Sequence, residues 1–250
     1  MTLFFKKPVI LTRVKEDNKE FLLSFKKTYP NINTKNFFKS MPLIEIEFEK
    51  DDKKSIDYNY LIFTSRYGIQ SVANIPGIKE KNIFCVGKAT AVKAKEAGFK
   101  KVFYPEFGNA SNLIKLICLK VNDKNFSLHY LRGKEISYDL KKELKKFGYK
   151  VCETIVYRQI SRKLSYRFYD SISKENVGGI VFFSANIARL FCEKVKKVPE
   201  DFLFFCISDR VAKEVIKTQI HGNYQIRIAS EPTTKEMMNL IYHEIFIRPH

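Results

Sequence analysis

The chain has 250 residues, enough for one large domain or two small ones with a sizeable core. Hydrophobic residues make up 45% and charged residues 29%, an ordinary globular balance, and the formal net charge is +18. No apolar run approaches the ~18 residues that a membrane span needs, and the lysines recur as pairs along the chain, which argues against a dedicated nucleic-acid patch. The charge points either to a polyanionic partner or to lysine-covered helix faces.

In chain order, the opening "MTLFFKKPVILTR" places lysines after only a few apolar residues, so it does not read as a signal peptide. A short apolar strand is expected at 9–11, followed by a helix. "SMPLIEIEFEK" (40–50) alternates apolar and polar residues and suits an exposed extended strand. Further strands are expected at 60–63, 83–86, 101–104 and 127–131. "YDLKKELKKFG" then puts Leu140, Leu144 and Phe147 on one helical face and stops at Gly148. "CETIVYRQISRK" (152–163) alternates again and contains a candidate strand at 155–157. Strands at 179–183, 203–207 and 226–229 complete the series, with the amphipathic "RVAKEVIK" between the last two. Continuous apolar strands alternating with helices imply parallel sheets covered on both faces, so the class is α/β.

The five cysteines are scattered and odd in number, without a CxxC pair, which fits a reducing cytoplasm. The four histidines are isolated, so no metal site is expected.

The chain is also written twice. Ser65 of "YLIFTSRYGIQSV" and Ser184 of "GIVFFSANIARLF" are 119 positions apart, and so are Arg13 and Arg132 in two further matching stretches. Cys85 of "NIFCVGKATA" and Cys206 of "LFFCISDRVA" are 121 apart, and Pro105 and Pro232 follow at a slightly larger offset. A period this long indicates two duplicated domains rather than a solenoid. If 40–50 and 152–163 pair, the domains interleave; on periodicity alone, two sequential domains are equally possible.

Small polar residues mark the strand-to-helix corners: Thr64 and Ser65, Gly87 and Thr90, Asn109 and Ser111, Ser184, Ser208 and Asp209, and Thr233 and Thr234. Each alone reads as a helix cap. As a set at the carboxyl ends of parallel strands, with free N–H groups and helix dipoles, they suit an anionic ligand. GxSxG, GxGxxG and GxxxxGK[ST] are all absent, and no acidic pair stands out. An enzyme of this kind would work mostly by holding its substrate.

"LTR", "IFTSRYGIQSV", "VGKATA", "LRG" with its helix, "VYR", "VFFS" and "EPTTKEM" occur in the order seen in uroporphyrinogen-III synthases, which the chain resembles over nearly its whole length. The resemblance implies two flavodoxin-like parallel-sheet domains joined by a two-stranded ladder. Domain one would be 1–40 plus 161–250, the ladder 41–50 and 152–160, and domain two 51–151. It implies a cytoplasmic, cofactor-free, usually monomeric enzyme of haem biosynthesis. That enzyme closes the linear tetrapyrrole hydroxymethylbilane into uroporphyrinogen III, losing water and inverting ring D. Tyr157 matches the tyrosine proposed in the family as general acid. Arg13, Thr64, Ser65, Gly87, Thr90, Ser184, Ser208, Pro232 and Thr233 match the corners that would hold the eight substrate carboxylates. Three positions depart from the family pattern: Ser208 stands in place of glycine, Val211 in place of threonine, and Val14 in place of a proline. A binding module for an anionic small molecule, catalytically silent, is the alternative; no membrane or nucleic-acid partner is expected.

Overall fold

The computed structural model describes residues 7–49, 58–136, 138–174 and 176–247. In chain order the strands are β1 (Val9–Leu11), β2 (Phe38–Ser40), β3 (Ile44–Phe48), β4 (Tyr60–Phe63), β5 (Asn82–Cys85) and β6 (Lys101–Phe103). They continue with β7 (Ser127–Gly133), β8 (Lys150–Ser161), β9 (Gly179–Phe182), β10 (Phe202–Cys206) and β11 (Tyr224–Ile228). The chain forms two compact units, one of Met1–Glu45 with Ser161–His250 and the other of Ile46–Ile160.

The first unit carries a five-stranded sheet in the order β11-β10-β9-β1-β2, with every neighbouring pair parallel. β10 is buried along its whole length, as expected of a strand covered on both faces. Phe182, Phe191 and Phe204 are fully buried and meet ring to ring, with centroids 5.4–6.0 Å apart. Each such side chain contributes about 1.5–3 kcal/mol of burial. β11 lies at the sheet edge, where Arg227 pairs with the buried Glu244 at 2.8 Å.

The second unit carries a six-stranded sheet in the order β3-β8-β7-β4-β5-β6. β4 shows why both faces are covered. Leu61 and Phe63 enter one core with Ile69, Val72 and Ile83, while Ile62 enters the opposite core with Phe84, Leu113 and Leu128. β4 through β8 are parallel. β3 runs the other way: Glu49 donates to the Val156 carbonyl at 3.1 Å and Arg162 to that of Leu43 at 2.9 Å, so one index rises as the other falls. Corresponding strands of the duplicated halves take corresponding places, since β8-β7-β4-β5-β6 matches β2-β1-β9-β10-β11.

Two readings of the sequence change. The strand expected at 155–157 is the middle of β8, which starts at Lys150 and pairs with β7 from Ser127↔Lys150 to Gly133↔Tyr157. Its alternation suggested an exposed strand, yet Val151, Val156 and Tyr157 are buried because β8 lies between β7 and β3. Within 40–50 the strand is confined to Ile44–Phe48, and Ser40 belongs to β2, paired with Leu11.

His129 on β7 is 6% exposed, with Nε2 2.8 Å from Thr154 Oγ1 and Nδ1 without a hydrogen-bond partner among the described residues. Its ring lies 4.3 Å from that of Tyr58. Burial pushes its pKa down to about 4, so the native ring is neutral at pH 7. Below the unfolded value of 6.5 the unfolded chain binds a proton that the native one does not, and stability falls as pH drops from 6.5 towards 4. In urea unfolding at pH 7 and at pH 4.5, the midpoint should therefore fall less for His129→Leu than for wild type.

Candidate active site

Where strand order reverses in an open parallel sheet, a crevice opens at the carboxyl ends of the strands. In the second unit β5 and β6 lie on one side of β4, and β7 and β8 on the other. A cavity of about 410 Å³ sits at this reversal, and Thr64, Asn109, Tyr130, Gly133, Glu135 and Tyr157 are among its lining residues.

Tyr157 is held there by a local irregularity in the sheet. The β7–β8 register shifts between Arg132 and Gly133, so Arg132 faces Ile155 while Gly133 faces Tyr157. The tyrosine ring packs on the Gly133 backbone. A Cβ at that glycine would come within 2.6 Å of Tyr157 Cζ and 2.8 Å of its hydroxyl oxygen. Arg132 secures the bulge from behind. Its Nε and Nη2 each lie 3.2 Å from a Glu153 carboxylate oxygen, and Nη1 donates to the carbonyls of Gly133 at 2.9 Å and Lys134 at 3.1 Å. The Lys134 N–H in turn donates to the Tyr157 carbonyl at 3.0 Å.

Tyr157 is 8% exposed, and its phenol is hydrogen-bonded to Ser65. Burial raises its pKa most, the Ser65 bond lowers it, and the Glu135 charge raises it again. Ser65 Oγ also accepts the Tyr67 N–H at 3.3 Å and so caps the helix Arg66–Val72. Beside it, Thr64 Oγ1 lies 2.9 Å from the hydroxyl of Tyr130, a side chain only 2% exposed whose pKa burial also raises. At neutral pH both phenols in this corner are uncharged and protonated.

The structure thus brings Thr64, Ser65 and Tyr157 together. Gly87 and Thr90 belong to the neighbouring corner and do not line the cavity. Gly87 precedes the helix Lys88–Glu96, and a Cβ there would come 3.0 Å from Gly108 Cα, so the glycine permits a close backbone approach. Thr90 is buried in the first turn of that helix.

The remaining candidates belong to the first unit. Arg13 follows β1, with Nη2 3.0 Å from the Asp17 carboxylate and its guanidinium 4.7 Å above the Phe183 ring. Ser184 caps the helix Ala185–Lys194 by accepting the Ile187 N–H at 3.3 Å. Ser208 heads the helix Asp209–Ile216 without a side-chain cap bond, and Val211 is buried in its first turn. Pro232 is exposed, and Thr233 caps the helix Thr234–Tyr242 through the Glu236 N–H at 3.2 Å. Among the described residues no group of three or more His, Cys, Asp or Glu side chains could hold a metal ion, and no helix is long and apolar enough to cross a membrane.

Sequence reasoning missed Tyr130, Gly133 and Glu135 as cavity residues. Tyr130 sits in the apolar run "SLHYL" and reads as core, and its hydroxyl acquires meaning only beside Thr64. Gly133 stood in the "LRG" signal without a role, while Glu135 is one charge among many on a loop.

The family model described as Uroporphyrinogen-III synthase HemD matches residues 40–239, and so includes every cavity residue named above. Among solved structures, the chain is similar to a uroporphyrinogen-III synthetase from Helicobacter pylori, with a TM-score of 0.67 and 18% identity over 95% of this chain and 99% of that one. A mutant uroporphyrinogen III synthase from the extremely thermophilic bacterium Thermus thermophilus aligns with a TM-score of 0.47 and 14% identity over 92% of this chain and 96% of that one. No curated protein sequence matches the chain. The Helicobacter likeness, at its low identity, establishes a shared fold. With the family model spanning most of the sequence, the chain belongs to the uroporphyrinogen-III synthase family.

Proposed function

We propose that this chain closes hydroxymethylbilane into uroporphyrinogen III, as a cyclising lyase of haem biosynthesis, with Tyr157 as its general acid. The observation that carries the mechanism is the neutral Tyr157 phenol, bonded to Ser65 and facing the cavity where strand order reverses. The phenol gives its proton to the hydroxyl of the substrate, the C–O bond breaks, and water leaves. The electron-rich pyrrole supplies the driving force and becomes an azafulvenium cation, so the reaction calls for no cofactor. The remaining task is to hold the chain so that ring D attacks the cation through its substituted carbon and inverts, which is catalysis by orientation.

In this reading the substrate carboxylates are held by backbone N–H groups and side chains at the helix starts of Ser65, Gly87, Thr90, Ser184, Ser208, Pro232 and Thr233, while Thr64 meets the substrate inside the cavity. Arg13 adds a cation, although its pairing with Asp17 means that substrate must compete for it. The formal charge of +18 favours encounter with such a polyanion. We further read the two units as flavodoxin-like domains, with β3 and β8 as the ladder carrying the chain between them, and the enzyme as a cytoplasmic monomer. The first unit's order, 2-1-3-4-5 when its strands are numbered along the chain, supports this.

Supplied with enzymatically made hydroxymethylbilane, the protein should give the type III isomer after oxidation and separation of products; type I alone would overturn the proposal. Tyr157→Phe keeps the ring on Gly133 but loses the proton, and turnover should fall by roughly 100-fold with the melting temperature unchanged. Unchanged turnover would remove Tyr157 from the mechanism. Gly133→Ala pushes a methyl group into the Tyr157 ring and should cost about 1–3 kcal/mol of stability in urea unfolding, together with a loss of activity.

A further inference from the structure

The cavity beside Tyr157 does not look like a site for the carboxylates of the substrate. Among its described lining residues none is a lysine, arginine or histidine, whereas Glu135 brings a carboxylate. A polyanion entering here would meet the Glu135 charge and no cation among the described lining residues. The groups around it are three phenols, Tyr130, Tyr138 and Tyr157, with Thr64, Asn109 and apolar side chains from Val86 and Leu140. Its volume of about 410 Å³ is at the low end for small-molecule sites, which suits one substituted ring better than a chain of four.

Glu135 is exposed and well placed to meet a ligand. One carboxylate oxygen accepts the Gln159 N–H at 3.4 Å, a long bond that leaves acceptor capacity on both oxygens. Its charge is felt by the Tyr157 phenol, so the carboxylate and the proton donor act on the same small volume. Two chemical features of a hydroxymethylpyrrole call for a carboxylate at this point. The ring N–H is a donor without an acidic or anionic character of its own, and the ring turns into a cation as the hydroxyl departs.

We propose that this cavity takes the pyrrole ring bearing the hydroxymethyl group, and that Glu135 is a second catalytic residue, accepting the ring N–H and stabilising the positive charge. The inference rests on the synthase reading above. In the step, the Tyr157 proton passes to the leaving oxygen, the C–O bond breaks with its electron pair going to water, and the ring nitrogen lone pair fills the resulting vacancy. The products are water, a phenolate and an azafulvenium cation lying between that phenolate and the Glu135 carboxylate. The carboxylate makes Tyr157 a weaker acid in the empty site, and the cation formed between the two negative groups offsets this as charge develops. Ring D then attacks through its substituted carbon to form a spiro centre, and the bond from that carbon to its original bridging carbon breaks. The free α-carbon of the ring closes onto that bridge, and the proton it loses returns to the Tyr157 phenolate.

The test compares wild type, Glu135→Gln and Glu135→Asp on hydroxymethylbilane, measuring kcat, KM, isomer and melting temperature. The glutamine keeps the size and an acceptor oxygen but loses the charge. Its kcat should fall by about 10- to 100-fold with KM unchanged or lower and the melting temperature unaltered, while aspartate retains more of the rate. An unchanged kcat with a lower KM would overturn the inference, since Glu135 would then only repel substrate carboxylates. A fall in kcat accompanied by an equal loss in aspartate and a lower melting temperature would also overturn it, marking a structural role. Wild type giving type III while Glu135→Gln keeps full kcat sinks this inference alone. Wild type giving only type I sinks the synthase reading and this inference with it.

Discussion

The packing of the Tyr157 ring on the backbone of Gly133 is the contact on which the site depends. It requires a residue without a side chain at the end of β7 and a register shift that brings that residue opposite the tyrosine. It also requires something to keep the bulge from relaxing. Arg132 does this by directing the Nε and Nη2 edge of its guanidinium to Glu153 and Nη1 to the carbonyls of Gly133 and Lys134. An ion pair this little exposed stabilises chiefly by fixing geometry, because desolvation offsets most of its attraction. The phenol is thereby pre-positioned, and a substrate need not supply the free energy of ordering it.

Electrostatics at this corner follow from burial more than from charge. A phenol is already protonated at neutral pH, and burial raises the pKa of both Tyr157 and Tyr130 further, while the bonds to Ser65 and Thr64 act the other way. The abundant lysines of the chain take no part among the described cavity residues. Binding a polyanion and ionising a pyrrole ask for opposite fields. On the proposed reading, the helix starts serve the first and the pocket at the reversal of β4 serves the second.

Duplication explains why the two sheets share one strand order, and it also exposes where the halves have diverged. Arg13 and Arg132 are counterparts 119 positions apart, Arg13 just beyond β1 and Arg132 near the end of β7. Arg132 turns back to a carboxylate on the neighbouring strand β8. Arg13 instead meets Asp17, one helical turn along, and lies over Phe183. In the second unit, Gly133 and Tyr130 are among the residues that line the cavity.

Much of this was legible in the sequence. Apolar runs such as "YLIF" and "FLFFC" are too continuous for a half-exposed strand, so they announced parallel sheets covered on both faces. The repeated Phe-Ser corners announced helix starts, because a hydroxyl before an amphipathic stretch satisfies orphan N–H groups. Tyr157 was singled out by its place in "VYR". Local pattern did not reveal that β8 is sandwiched between β7 and β3, since alternation looks the same in an exposed strand and in one with neighbours on both sides. Nor could it separate Tyr130 from the core, or Glu135 from the many surface charges. The sequence by itself determined most strands and the helix starts, since those depend on neighbours a few positions away, but not β2, which pairs with the distant β1. Only the tertiary structure decided that residues 64, 130, 133, 135 and 157 share one cavity, because strand order and a one-residue bulge, both set by packing between distant segments, bring them together.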